Sequence, residues 1–170
     1  MKKLAFFDTN IFIYSDDVSA PVKQARAIQL ITDYRRANLL VVSMQVLQEY
    51  CAAVTRKLRV DPETAQQKVQ ILAHAPVVRF VESDVIAAIE LHRLNRVSFW
   101  DAMIIHAARL ARAELLYTED SSARVRCWVG FESKILFRKS EELKSGSPSV
   151  AMQQMRVLTF AGACQVIDSG

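Results

Sequence analysis

Glycine is scarce, with four residues in a chain of 170. So few leave little material for loops that cradle phosphates, and no GxxxxGK[ST] or GxGxxG string occurs, which excludes the common nucleotide-binding classes. A GxSxG nucleophile elbow is also missing. The three cysteines, Cys51, Cys127 and Cys164, are odd in number, far apart and without CxxC spacing. That pattern speaks against both a disulfide framework and a zinc site. His74, His92 and His106 form no HxxxH pair, and a straight helix would point His106 away from Asp101, five residues earlier. No apolar run approaches the roughly 20 residues of a membrane helix, and the opening segment meets Asp8 before a signal-peptide core could form. The expectation is a cytoplasmic protein without a membrane partner.

About half of the residues are apolar (51%), enough for one domain with a real core and too few for two comfortable ones. The net charge of +4 is unevenly spread. Residues 1–120 hold 15 Lys and Arg against 14 Asp and Glu (+1), whereas residues 121–170 hold 7 against 4 (+3). Most of the basic surplus is in the tail, so total charge says little about a nucleic-acid partner.

Local pattern predicts strands at Lys3 to Asp8, Leu39 to Val42, Val77 to Val81 and Glu114 to Thr118. Between them fall helices. One starts at Pro21 and runs to Ala37; Ser43 caps a second over Met44 to Leu58, and Asp61-Pro62 opens a third to about His74. Ser83 is the expected cap for Asp84 to Leu94, and Ser98 for a helix through Ala111. Asp8-Thr9-Asn10 reads as a polar loop after the first strand. Alternating strands and helices predict an α/β fold, a parallel sheet of four to five strands flanked by helices. Sites on such a sheet collect at the carboxyl ends of the strands, where Asp8 and Asp120 fall. After Asp120 regular periodicity fades until Ala151 to Phe160, which places a boundary between a 1–120 domain and a 121–170 tail.

Glu49 and Asp101 lie beside apolar helical stripes, where an unpaired carboxylate costs several kcal/mol. Each of the four acids also has a purely structural reading. Asp8 can cap a loop, Glu49 can be a solvated helix acid, Asp101 can sit at a helix N-terminus, and Asp120 can occupy a turn. Neighbouring acids need a cation, and without Cys or His ligands the fitting ion is a hard one, Mg²⁺ or Mn²⁺. Such an ion implies phosphodiester chemistry without a protein nucleophile. A phosphatase using the same acids is disfavoured, since Asp8-Thr9-Asn10 lacks the second acid of an Asp-x-Asp motif.

Four strings, Phe7-Asp8-Thr9-Asn10-Ile11, Leu47-Gln48-Glu49-Tyr50, Ser98-Phe99-Trp100-Asp101-Ala102 and Tyr117-Thr118-Glu119-Asp120, occur in the order and spacing of PIN-domain proteins. Over residues 3 to 120 the chain resembles, in particular, the VapC toxins of bacterial toxin–antitoxin pairs. The resemblance implies a PIN-like fold and an endoribonuclease. Asp8, Glu49, Asp101 and Asp120 would bind one or two Mg²⁺ or Mn²⁺, supported by Asn10 and Thr118, with Glu119 as second choice for the fourth acid. It also implies a homodimer, an RNA substrate and a cognate antitoxin. The alternative reading is a catalytically impaired PIN-like binding module held by an antitoxin or RNA, which a damaged C-terminus would favour.

The tail departs from that pattern abruptly at Ser121. Relatives continue with a Gly-containing turn, a last strand and an end resembling Asn-Pro-Phe. Joining the third base of each codon to the first two of the next forces Leu from Cys127-Trp128, Gly from Trp128-Val129, and Asn or Asp from Lys134-Ile135. Across Val129 to Phe137 the shifted frame permits Gly-Phe-Arg-Ile-Glu-Asn-Pro-Phe, and Phe137-Arg138 permits a stop. The expectation is a frameshift just after Asp120 that leaves the final strand missing or altered; the competing reading is a genuine extension.

Overall fold

A computed structural model describes residues 3–119 and the backbone of residues 132–135. The elements run β1 (Ala5–Phe7), α1 (Thr9–Asp16), α2 (Pro21–Arg36), β2 (Leu40–Ser43), α3 (Met44–Lys57), α4 (Pro62–Leu72), β3 (Val77–Val78), α5 (Glu82–Asn95), α6 (Phe99–Leu110), β4 (Leu115–Thr118) and β5 (Glu132–Ile135). The five strands form one sheet in the order β3-β2-β1-β4-β5. Every pairing is parallel. Because helices cover the faces of such a sheet, its strands are buried throughout rather than alternating, as β1, β2 and β4 are.

The order decides where a site can form. From β1 the chain winds outward through β2 to β3, then returns to lay β4 on the other side of β1. The switch point therefore lies between β1 and β4, and a crevice opens beyond their carboxyl ends. Phe7 pairs with Tyr117 there, and the Asp8 N–H donates to the Tyr117 carbonyl at 2.9 Å. Beneath the crevice, the rings of Phe7, Tyr34 and Tyr117 meet pairwise with centroids 5.0 to 5.4 Å apart. The two tyrosine hydroxyls bond each other at 2.9 Å, which lets both polar groups stay in the core.

Sequence capping signals hold at three helices. Ser43 accepts from the Val46 N–H, Asp61 from those of Glu63 and Thr64, and Ser98 from that of Asp101. Elsewhere the structure corrects the pattern. Asp8-Thr9-Asn10 is no loop: Asp8 caps α1 by accepting from the Thr9 N–H, and burial of Ile11 and Phe12 sustains the helix. Residues 79–81 leave the expected strand, and α5 starts one residue before Ser83. There Asp84 reaches back to accept from the Val81 N–H, so an acid inside the first turn does the capping.

Glycine-poor composition leaves a mark on the helix ends. Asn38, Arg59, Arg96 and Arg112, at or just past the ends of α2, α3, α5 and α6, adopt left-handed φ of 52° to 55°. Beyond the boundary expected at residue 120, β5 pairs with the full length of β4, Leu115 with Glu132 through Thr118 with Ile135. The sheet thus has a fifth strand, whose pairing rests on backbone groups and is indifferent to side-chain identity. Asp120 and the remaining tail lie outside the described residues. Among the described residues no helix is long and apolar enough to cross a membrane.

Candidate functional site

Three helices deliver acids to the switch-point crevice. Asp8 arrives at the N-terminus of α1, Glu49 on the second turn of α3, and Asp101 on the first turn of α6. All three line one cavity of about 320 Å³, together with Asn10 and Thr9. Thr118, at the end of β4, holds Asp8 from outside the cavity lining: its hydroxyl donates to Asp8 Oδ2 at 2.7 Å, while the Thr9 N–H donates to Oδ1 at 2.6 Å.

Asp8 is the most constrained of the acids. Only 8% of its surface is exposed, and burial pushes its pKa up to about 6 against the restraining hydrogen bonds from Thr118 and Thr9. Glu49 and Asp101 push in the same direction as burial. No cation of the described protein pairs with Asp8, so its neighbourhood is a carboxylate held by neutral donors and faced by two more carboxylates.

The other two acids are also held. The Thr9 hydroxyl donates to Glu49 Oε2 and the Gln45 amide to Oε1, both at 2.8 Å. Gln45 is buried, its amide nitrogen also lies 3.5 Å from the Trp100 carbonyl, and its own Oε1 has no partner among the described residues. An unsatisfied buried carbonyl costs free energy, so the fold accepts a penalty to keep Gln45 between α3 and α6. Ser98 donates to Asp101 Oδ2 at 2.7 Å while capping the same helix.

Thr9, Gln45 and Ser98 are thus the side chains that orient the acids, and the sequence reading assigns none of them that task. Gln45 was in principle legible from its spacing, one helical turn before Glu49. Thr9 required the helix that the sequence pattern takes for a loop. Glu119 is placed elsewhere: its carboxylate is bonded by Lys23 at 3.0 Å, beside the Tyr14 hydroxyl, and it does not line the cavity. Asp120 lies outside the described residues.

The donor set is entirely oxygen, which suits a hard divalent cation and no softer one. Among the described residues no three acidic, histidine or cysteine side chains converge as a ready-made ligand set. His106 has another role: it bonds Asp84 at 3.1 Å and stacks on Phe80.

Comparison with known proteins accords with this geometry. A family model described as PIN domain matches residues 5–127. Among solved structures, a toxin–antitoxin complex from Klebsiella pneumoniae is similar at a TM-score of 0.55 and 19% identity, covering 72% of this chain and 92% of that one. VapC20 of Mycobacterium tuberculosis, described as a toxin cleaving the sarcin–ricin loop, is similar at 0.57 and 19%, covering 69% and 90%. No curated protein matches. With the family model spanning well over half of the sequence, the chain belongs to the PIN domain family.

Proposed function

We propose that the chain is a Mg²⁺- or Mn²⁺-dependent endoribonuclease acting as the toxin of a toxin–antitoxin pair. One observation carries the reading: a buried carboxylate at the switch point, unpaired by any cation of the described protein, faces two further acids in an open cavity. Such a cluster is costly as an anion, and an entering positive charge offsets that cost. Asp8, Glu49 and Asp101 would hold that ion, with Asp120 as the fourth ligand and Asn10 and Thr118 in support. The bound ion supplies positive charge for the scissile phosphate and activation of water.

The protein's own part is orientation. Thr118 and the Thr9 N–H fix both oxygens of Asp8, the Thr9 hydroxyl and Gln45 fix those of Glu49, and Ser98 fixes one of Asp101. Carboxylates held this way are arranged before substrate arrives. The toxin reading draws on the two similar structures, of which one is a toxin–antitoxin complex and the other an RNA-cleaving toxin. An antitoxin partner, a homodimer and a cytoplasmic location belong to the same proposal.

The test is cleavage of a mixed RNA pool with Mn²⁺, with and without EDTA. Asp8→Asn and Asp101→Asn are each expected to lower the rate by at least about 100-fold, since even partners outside the metal's own ligands typically cost 10 to 100-fold. Metal-independent cleavage, or variants as active as wild type, would remove the proposal. A second reading, an impaired module that binds an antitoxin or RNA, is favoured by the lack of a converged ligand set among the described residues. It predicts RNA or antitoxin affinity without cleavage.

A further inference from the structure

The cavity has two ends of opposite character. Along one face of α3, Glu49 is followed by Ala52 and Ala53, then by Arg56 and Lys57 on the last turn, and all five line the same cavity. Seven residues separate Glu49 from Arg56, which is about 10 Å along the helix axis. A single phosphate cannot touch both ends. The two alanines between them leave the helix surface low, so that an extended chain can pass over it.

Arg56 and Lys57 are exposed, and among the described residues neither has an ion-pair or hydrogen-bond partner, although the same cavity holds three acids. Cations kept in a shared cavity but out of contact with its carboxylates are available to an anion from outside. Across the cavity stands Trp100, next to Asp101 and 61% exposed, with the Phe99 ring packed edge to face on it at 5.3 Å. An indole left this open beside a charged site is a stacking surface.

Building on the nuclease reading, we infer that the cavity holds a second nucleotide subsite beside the acids, with Arg56 and Lys57 on one wall and Trp100 on the other. Arg56 and Lys57 take a phosphate of the nucleotide neighbouring the scissile one, and Trp100 stacks its base. A base free to stack must be unpaired, so the substrate class is single-stranded or looped RNA rather than duplex. The acids would then govern the chemistry, and the α3 cations with the indole would govern affinity and strand position.

The experiment measures binding of a short fluorescent single-stranded RNA by anisotropy in EDTA, and kcat and KM on the same RNA with Mn²⁺. Arg56→Ala/Lys57→Ala is expected to raise Kd at least 10-fold at moderate salt and to reduce the log–log salt slope by about 0.7, the single-strand value for one phosphate contact. Trp100→Ala is expected to weaken binding roughly 10-fold, and Trp100→Phe to restore most of it by retaining a stacking ring. KM should rise in step while kcat at saturating RNA stays within about twofold, and a duplex of the same sequence should bind more weakly than the single strand.

RNA affinity and salt slope unchanged in both variants would overturn the inference. If wild type still cleaves in that case, the nuclease reading survives alone. If wild type binds with these dependences and never cleaves, the subsite stands and the nuclease reading falls. Affinity lost for an acidic peptide, but kept for RNA, would assign the face to a protein partner and overturn the inference too.

Discussion

Helix α1 begins and ends on an aspartate, and the fold treats the two differently. Asp16, at the C-terminal end, accepts from the Tyr50 hydroxyl and pairs with the Lys68 ammonium from α4. Its charge opposes the helix dipole, yet it is answered within the protein. Asp8, at the N-terminal end, has among the described residues only a hydroxyl and an N–H for partners, and two acids for neighbours. One aspartate ties three helices together. The other is a charge held in place and left unanswered, which is what a cation site requires and what stability alone would not retain.

The contrast can be tested most strongly through pH. Because burial raises the Asp8 pKa from 3.8 to about 6, the metal-free folded state holds a proton that the unfolded state has released. Stability from this group is complete below pH 4 and is lost as pH rises through 6, by on the order of 3 kcal/mol. Urea denaturation in EDTA at pH 4 and pH 7 should show this fall. Asp8→Asn should abolish it and stabilise the metal-free protein at neutral pH, while added Mn²⁺ should stabilise wild type more than the variant.

Asp16→Asn should do the reverse. Removing the charge leaves Lys68 without its partner and weakens the bond from Tyr50, costing about 1–3 kcal/mol in the same denaturation assay. Metal affinity should be unchanged; a Mn²⁺ isotherm that shifts as it does for Asp8→Asn would erase the distinction between the two ends. The smallest effect is expected from Thr118→Val. Loss of one hydroxyl donor should weaken Mn²⁺ binding about 10-fold, the range for a residue that orients a ligand, with a cost of about 1 kcal/mol in stability.

Much of this was legible in the sequence. The strands beginning at Ala5, Leu40, Val77 and Leu115 and five of the six helices follow from apolar period and capping residues. Asp8, Glu49 and Asp101 line one cavity, a grouping that the family resemblance of their motifs suggests and that apolar pattern alone does not, since each acid also has a purely structural reading. What escaped depends on tertiary context. Helix α1 was hidden because Asp-Thr-Asn is an equally good turn and an equally good helix start, and only the burial of Ile11 and Phe12 chooses between them. Asp16 carries no local sign that Lys68, more than fifty residues later, will reach it. Arg56 and Lys57 look like ordinary solvated charges at a helix end, where they complement the dipole, until α3 is seen to wall the cavity. For the tail, the frameshift remains a proposal about the gene, and its nucleotides decide it: a shifted frame without Asn-Pro-Phe and a nearby stop would refute it.

The four left-handed turns have a consequence for how this chain could change. Asn38, Arg59, Arg96 and Arg112 occupy a conformation that costs a side-chain-bearing residue about 1 kcal/mol or more, at positions where helices commonly use glycine. Three of the four are arginines, so each also sets a positive charge at the negative end of a helix. A lineage of this chain therefore has single-residue routes to extra stability at sites distant from the cavity. Each glycine gained there could offset one destabilising change elsewhere, so drift in the crevice need not end in loss of the fold.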